Sequence, residues 1–297
     1  MRKSNVIAML VALIPIAFIT IFVGIPILMA IAFSLGYTGG PNTTVALLDQ
    51  NIQVAHAGPT FAVYSHLISD HSFQKDFWST IWVTAASVAL VLVIGWGLAL
   101  YMRFTRGWFA QIVSSLYIVP MFIPVVIASY ALVTFWNTNG FMSSLIANVF
   151  HLHFAGFGYT LFGVVIGQVW TNIPFAVLIL ASGLQAVPDP LIEAAQDTGA
   201  SRLTILWRVV VPLNTLPTMI VGTFTGIGVL GSFTVTDLLG PTAPTMLGVS
   251  MSRYYQSFNE PQLSTAVAVL VFLLAAGLGA LYVWANMRSN RKAGATQ

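Results

Sequence analysis

Between Gly107 and Pro188 the chain carries no Lys, Arg, Asp or Glu. Soluble domains carry about 25% charged residues; only 6% of this whole chain is charged, and 57% is hydrophobic. A bilayer core is crossed by roughly 20 apolar residues of helix, so the uncharged run is too long for a single crossing. A polar gap at 137–158, with Asn139-Gly140, His151 and His153, divides it. One span is read over about Ile112–Trp136 and another over about Tyr159–Leu184. Pro120 and Pro124 are expected to kink the first, with neighbouring helices satisfying the freed carbonyls.

The same criterion finds four more spans. The first covers 6–35, after a cytoplasmic N-terminus at 1–5. A signal peptide is the competing reading, but the apolar stretch far exceeds the ~7–15 residues of such a segment, so an uncleaved span is expected. An external loop at 36–76 holds Gly39-Gly40-Pro41, three histidines, Asp49, Asp70 and Asp76. Span two runs from about Phe77 to Met102, span five from Leu213 to Val235, and span six from Leu263 to Trp284. A core at 77–285 and a cytoplasmic tail at 286–297 complete the division. The expected fold is an all-α membrane protein with six transmembrane helices.

Six spans put both termini on one side. That side holds Arg2, Lys3, Arg103, Arg106, Arg202, Arg208, Arg288, Arg291 and Lys292; the other holds only Lys75 and Arg253. The positive-inside rule makes the first side cytoplasmic. The expected location is the cell inner membrane, multi-pass, with both termini cytoplasmic.

One cytoplasmic stretch, 187–212, is densely patterned: VPDPLIEAAQDTGASRLTILWRVVVP. Asp189-Pro190 reads as an N-cap and first helical residue, and Glu193 suits the positive helix end. Leu191, Ala194, Ala195 and Thr198 share a face by spacing. Gly199 reads as the glycine that ends the helix, and Ser201 as the cap of a second helix running to Pro212. The expectation is helix, glycine bend, helix at the membrane surface.

Glu193-Ala194-Ala195, Gly199, then Val209-x-Val211-Pro212 resembles the EAA loop of binding-protein-dependent ABC importer permeases. Val209 and Val211 stand where the family pattern has Ile and Leu. The resemblance extends over about residues 75–285. It implies a type I importer core and a coupling helix that docks on an ATPase, with Glu193, Ala194, Ala195, Asp197, Gly199, Ala200 and Pro212 as coupling residues. It also implies the partners: two ATP-binding cassette subunits, a second permease subunit (the same or a homologous chain) and an external solute-binding protein. ATP and Mg belong to the ATPase; this chain is expected to bind no cofactor and no nucleic acid.

Other chemistries lack their residues. No Gly-x4-Gly-Lys-Ser/Thr loop occurs, and the only lysines are Lys3, Lys75 and Lys292, so ATP must be hydrolysed elsewhere. No catalytic motif or metal set is found; His151-Leu152-His153 in a Gly/Asn-rich loop reads as solvated. Ion-coupled carriers keep ionisable groups deep in their helices, whereas here they sit at span edges and in loops. Gly163-x-x-x-Gly167 and Gly222-x-x-x-Gly226 read as close-packing faces.

Polar residues within apolar spans are the candidates for the solute passage: Gln168 and Asn172, with Thr234 and Asp237 beyond span five. Hydrogen bonding between helices is an equal reading for them. The stretch Asp237–Gly248, Tyr254-Tyr255 and Ala266-Val267-Ala268 is similar to the polyamine and organic-ion branch. Five external acids (Asp49, Asp70, Asp76, Asp237, Glu260) against two bases suit a cation. A small organic cation is preferred, with a sugar or polyol as the alternative.

Overall fold

Two prolines four positions apart in a span do more than bend it. The computed structural model describes residues 2–39, 42–46 and 59–294. Its helices are α1 (Arg2–Ile19), α2 (Ile25–Ser34), α3 (Thr43–Ala46), α4 (Ala62–Ser69), α5 (His71–Phe104), α6 (Trp108–Leu116), α7 (Val125–Trp136) and α8 (Phe141–Phe150). They continue as α9 (Leu161–Gln185), α10 (Asp189–Asp197), α11 (Arg202–Ile205), α12 (Val211–Leu213), α13 (Thr215–Leu230), α14 (Thr234–Leu239), α15 (Leu247–Gln256) and α16 (Pro261–Gly294). No strand occurs among the described residues. Among the described residues four helices are long and apolar enough to cross a membrane, and up to six crossings result if two bent pairs each count as one.

The expected span three is one of those pairs, and it is broken where a kink was expected. The segments Trp108–Phe122 and Val125–Phe150 meet at 108°. Each proline removes a helical donor, and the residue before a proline is pushed out of the helical region. Ile123 accordingly lies at φ −92°, ψ 122°, and Pro124 caps α7 in an extended conformation. The expected polar gap is also partly helical. Gly140 opens α8, Ser143 Oγ donates to the Asn137 carbonyl at 2.7 Å, and His151 closes the helix at φ 54°. His151 therefore has a backbone role.

Other boundaries shift for local reasons. Asp70 caps α5 by accepting from the Ser72 N–H at 2.9 Å, so that helix begins at His71, inside the loop expected to run to residue 76. Span five ends at Leu230, before the separate helix α14, and α16 continues through Gly294 into the expected tail. Asp49, His56 and the Gly40-Pro41 pair lie outside the described residues.

The chain forms two compact units, each joining stretches that lie far apart in the sequence. One joins 1–74 to 250–272; the other joins 75–249 to 273–297. The first is tied by polar bonds between distant stretches. Gln262 Nε2 donates to the Phe33 carbonyl at 3.0 Å, Tyr254 Oη to Asp70 Oδ2 at 3.1 Å, and Ser34 Oγ lies 2.8 Å from Tyr64 Oη. Its buried apolar side chains include Phe33, Leu67 and Phe73.

The second unit is built around α9. Val164, Val165, Val177, Leu180 and Leu184 of α9 are buried with Val83 and Val91 of α5, Val221 and Val229 of α13, and Leu239 of α14. α13 and α14 pack directly on α9. Small residues permit this: a Cβ at Gly167 would lie 2.8 Å from Val235 Cγ1, and one at Gly183 only 1.8 Å from Asn214 Oδ1. A Cβ at Gly163 would meet its own chain, at the Phe157 carbonyl, while one at Gly222 would lie 3.8 Å from Leu92 Cδ1, so that position is not tightly packed.

Candidate functional site

The helix carrying Glu193 is fixed at both ends. At its C-terminus Gly199 adopts φ +79°, a conformation that glycine takes without a side-chain penalty. Its N–H bonds the Gln196 carbonyl at 2.8 Å, and the Ala200 N–H bonds the Ala195 carbonyl at 3.2 Å. That pair closes the helix as a Schellman motif. The next helix opens as expected: Ser201 Oγ accepts from the Thr204 N–H at 3.3 Å. The chain then passes through a π turn at Leu206–Val210 into α12, which contains Pro212.

The N-terminus differs from the expectation by one residue. Pro188 is the N-cap and Asp189 the first helical position, with no side-chain cap. Asp189 is free to pair with Arg103 at the end of α5, and Arg103 Nη2 also reaches the Val187 carbonyl at 3.4 Å. The end of one long span thereby holds the start of α10.

The face shared by Leu191, Ala194, Ala195 and Thr198 is mostly turned away from the protein. Ile192 is buried and Ala195 half-buried, while Leu191, Glu193, Ala194, Asp197 and Thr198 are exposed. Ala200 is half-buried, and Gly199 and Pro212 are exposed. Glu193 forms no ion pair among the described residues. α10 thus presents an exposed carboxylate, Glu193, with the small Ala194 and an exposed Leu191, on a rod whose ends are both pinned.

The passage candidates divide. Gln168 is buried and donates to Ser232 Oγ at 2.5 Å, joining α9 to the segment after α13. Asn172, half-buried one turn on, donates to the Gln168 carbonyl at 2.8 Å. Thr236 is buried and donates to the Ser232 carbonyl at 3.2 Å. Thr234 is half-buried and Asp237 exposed. Gln168, Asn172 and Ser232 therefore form one connected polar set within α9 and its neighbour, while the Asp237 side chain makes no hydrogen bond to that set among the described residues.

Two features were not singled out from sequence. Asn214, fully buried, sits at the 68° bend between Arg202–Leu213 and Thr215–Leu230, pressed on Gly183, with its Nδ2 3.4 Å from the Leu180 carbonyl. A lone amide between Pro212 and Pro217 in an apolar run was the available signal. The Arg103–Asp189 pair was the other; opposite charges in two turns between spans hinted at it.

The profile of the family described as the binding-protein-dependent transport system inner membrane component matches residues 91–292. The chain belongs to that family. This permease is 28% identical over 223 residues to the spermidine/putrescine transport system permease protein PotB of Haemophilus influenzae, covering 74% of this chain and 77% of that one. It is 27% identical over 230 residues to the trehalose transport system permease protein SugA of Mycobacterium tuberculosis, covering 74% and 72%. Its fold is similar to that of a chain from a bacterial ABC transporter that imports the acidic polysaccharide alginate, with a TM-score of 0.73, 17% identity, and 98% and 96% of the two chains covered. The permease is a multi-pass membrane subunit of a type I ABC importer, and a transport component rather than an enzyme.

Proposed function

We propose that this permease forms the passage for a small organic cation of the polyamine kind, delivered by an external binding protein and driven through α10 by a separate ATPase. The observation that carries the coupling half of this reading is α10 itself. It is pinned by the Schellman closure at Gly199 and the Arg103–Asp189 pair, and its Glu193-Ala194 surface is left exposed. A rod fixed at both ends transmits displacement, and small side chains allow a partner's groove to approach closely. The distribution of Arg and Lys supports a cytoplasmic α10 with both termini on that side.

Two ATPase subunits, using ATP and Mg, would close on the coupling helices of two permease subunits, this chain paired with itself or with a homologue. Closure moves α10, and through α11, α12 and the Asn214 bend it moves α13. Transport is driven because the ATPase contacts differ between the two states of the passage. The polar set of Gln168, Asn172 and Ser232 is the part of the passage wall that would touch solute, with Thr234 and Asp237 toward the outside.

The polyamine assignment is supported by PotB-like relatives and by the acidic balance of the segments read as external. The sugar reading is supported by the SugA relative. The test is reconstitution with the cognate ATPase and binding protein. Glu193→Lys is expected to leave membrane insertion intact while lowering ATPase co-purification and uptake of labelled spermidine at least tenfold. Normal uptake by that variant refutes docking through α10, and wild-type uptake of trehalose in place of spermidine refutes the cation.

A further inference from the structure

A cavity of about 570 Å³ opens where α5 ends, α6 begins and α9 closes. It belongs neither to the polar set of α9 nor to the exposed face of α10. Its polar lining is Arg103, Thr105, Arg106, Gln111, Ser114 and Gln185. No carboxylate lines it.

Arg103 is partly committed, with Nη2 on Asp189 and the Val187 carbonyl, but its Nε is buried with no acceptor. Arg106 is exposed and makes no hydrogen bond or ion pair among the described residues. α6, nine residues long, starts at the cavity. Gly107, its N-cap, and Ala110 line the space, and no side chain caps the first turn. The uncapped first turn of α6 and the unpaired Arg106 guanidinium therefore border one volume. That combination favours an anion with several oxygens.

The surroundings say what carries the anion. The outer face of α6 and the end of α5 present Phe104, Trp108, Phe109, Ile112 and Leu116, all exposed. Trp and Phe beside Arg at the end of a span mark the level of the headgroups, and basic pockets between spans accept phospholipid headgroups. A soluble anion would have no use for this apolar flank.

We propose that this cavity binds the phosphodiester headgroup of an acidic phospholipid, with Arg106 as the principal contact and the acyl chains lying along Trp108, Ile112 and Leu116. A lipid seated there would brace the Arg103 side chain that holds Asp189, and so the start of α10. The proposal rests on family membership and not on the substrate.

The full chain, in phosphatidylcholine nanodiscs doped with phosphatidylglycerol, is extracted and its retained lipid counted by native mass spectrometry. Wild type is expected to retain phosphatidylglycerol over phosphatidylcholine. Arg106→Gln should lower that retention about fivefold, the effect of losing one interfacial arginine. Gln111→Leu should lower it less, and Lys75→Gln, at the far end of α5, not at all. Melting temperature in pure phosphatidylcholine identifies any variant that fails to fold, and Arg106→Lys, with partial retention, then takes its place. Equal retention of the two lipids, or unchanged retention in Arg106→Gln, overturns the site. Displacement of the lipid by millimolar inorganic phosphate reassigns the cavity to a free anion and overturns the lipid. Reduced solute uptake by Arg106→Gln with lipid retention unchanged makes the cavity part of the passage, which also overturns it.

Discussion

α9 and the span Val11–Ser34 are both apolar helices of membrane length, and both are free of charged side chains. The N-terminal span has the higher mean hydropathy, 2.7 against 1.9, yet only 6% of its most apolar window is buried inside the structure, against 56% for α9. Hydropathy thus identifies what enters lipid, not what packs against protein. The difference lies in residue size and in polar groups. α9 carries Gly163, Gly167, Ala176, Ala181 and Gly183, with Gln168, Thr171 and Asn172 among them. The N-terminal span carries exposed Ile14, Phe18 and Phe22. Lipid tails are as apolar as Leu, so close backbone approach and hydrogen bonds, more than apolarity, drive helices together in a bilayer.

Substitutions can test that contrast. The largest effect is expected at Gly183, where an added methyl group would meet Asn214 Oδ1 at 1.8 Å and Pro217 Cγ at 2.4 Å. Gly183→Leu should destabilise the detergent-solubilised chain by about 3 kcal/mol, read as a fall in melting temperature. An unchanged melting temperature would show that α9 is not tightly packed. Gln168→Leu comes next, at about 1–2 kcal/mol, because it leaves the half-buried Ser232 without its partner. Adding Ser232→Ala should recover part of that loss, and strict additivity of the two changes would discard the hydrogen bond as a packing element.

Arg103→Gln should change stability by less than about 1 kcal/mol, since the Asp189 side chain is 66% exposed and an exposed pair is worth little. Its effect should appear as weakened ATPase stimulation with the fold retained. The smallest effect belongs to the N-terminal span. Ile14→Ala, at a side chain 72% exposed within the structure, should cost about 0.5 kcal/mol or less. A loss as large as that at Gly183 would mean that this face is covered by protein.

Much of the coupling segment was legible because its signals are local. A glycine that needs positive φ, a serine that caps, and a proline near a helix start act over four or five residues, and Gly199, Ser201 and the α10–α11 order were all read correctly. Spacing alone does not say which side of α10 meets the protein. Ile192, outside the predicted stripe, is the buried residue, since the chain must turn it toward Ile205 and the end of α5. The break at Pro120–Pro124 was read as a kink because the sum of two pre-proline restrictions and two lost donors was underestimated. α8 was missed because ten residues of Phe, Met, Ser, Leu and Asn are too few to register as a span.

The membrane class, the number of apolar runs, the absence of a phosphate loop and the order of signals at 187–212 follow from the sequence alone. They depend on composition and on interactions between near neighbours. The pairing of Arg103 with Asp189, the seating of Asn214 against Gly183, the Gln168–Ser232 bond and the choice of α9 as the central helix were decided only by tertiary structure. Each joins residues at least 31 positions apart, and no local preference of either residue specifies its partner. Close contact between backbones selects those pairs, and that contact exists only once the helices have packed.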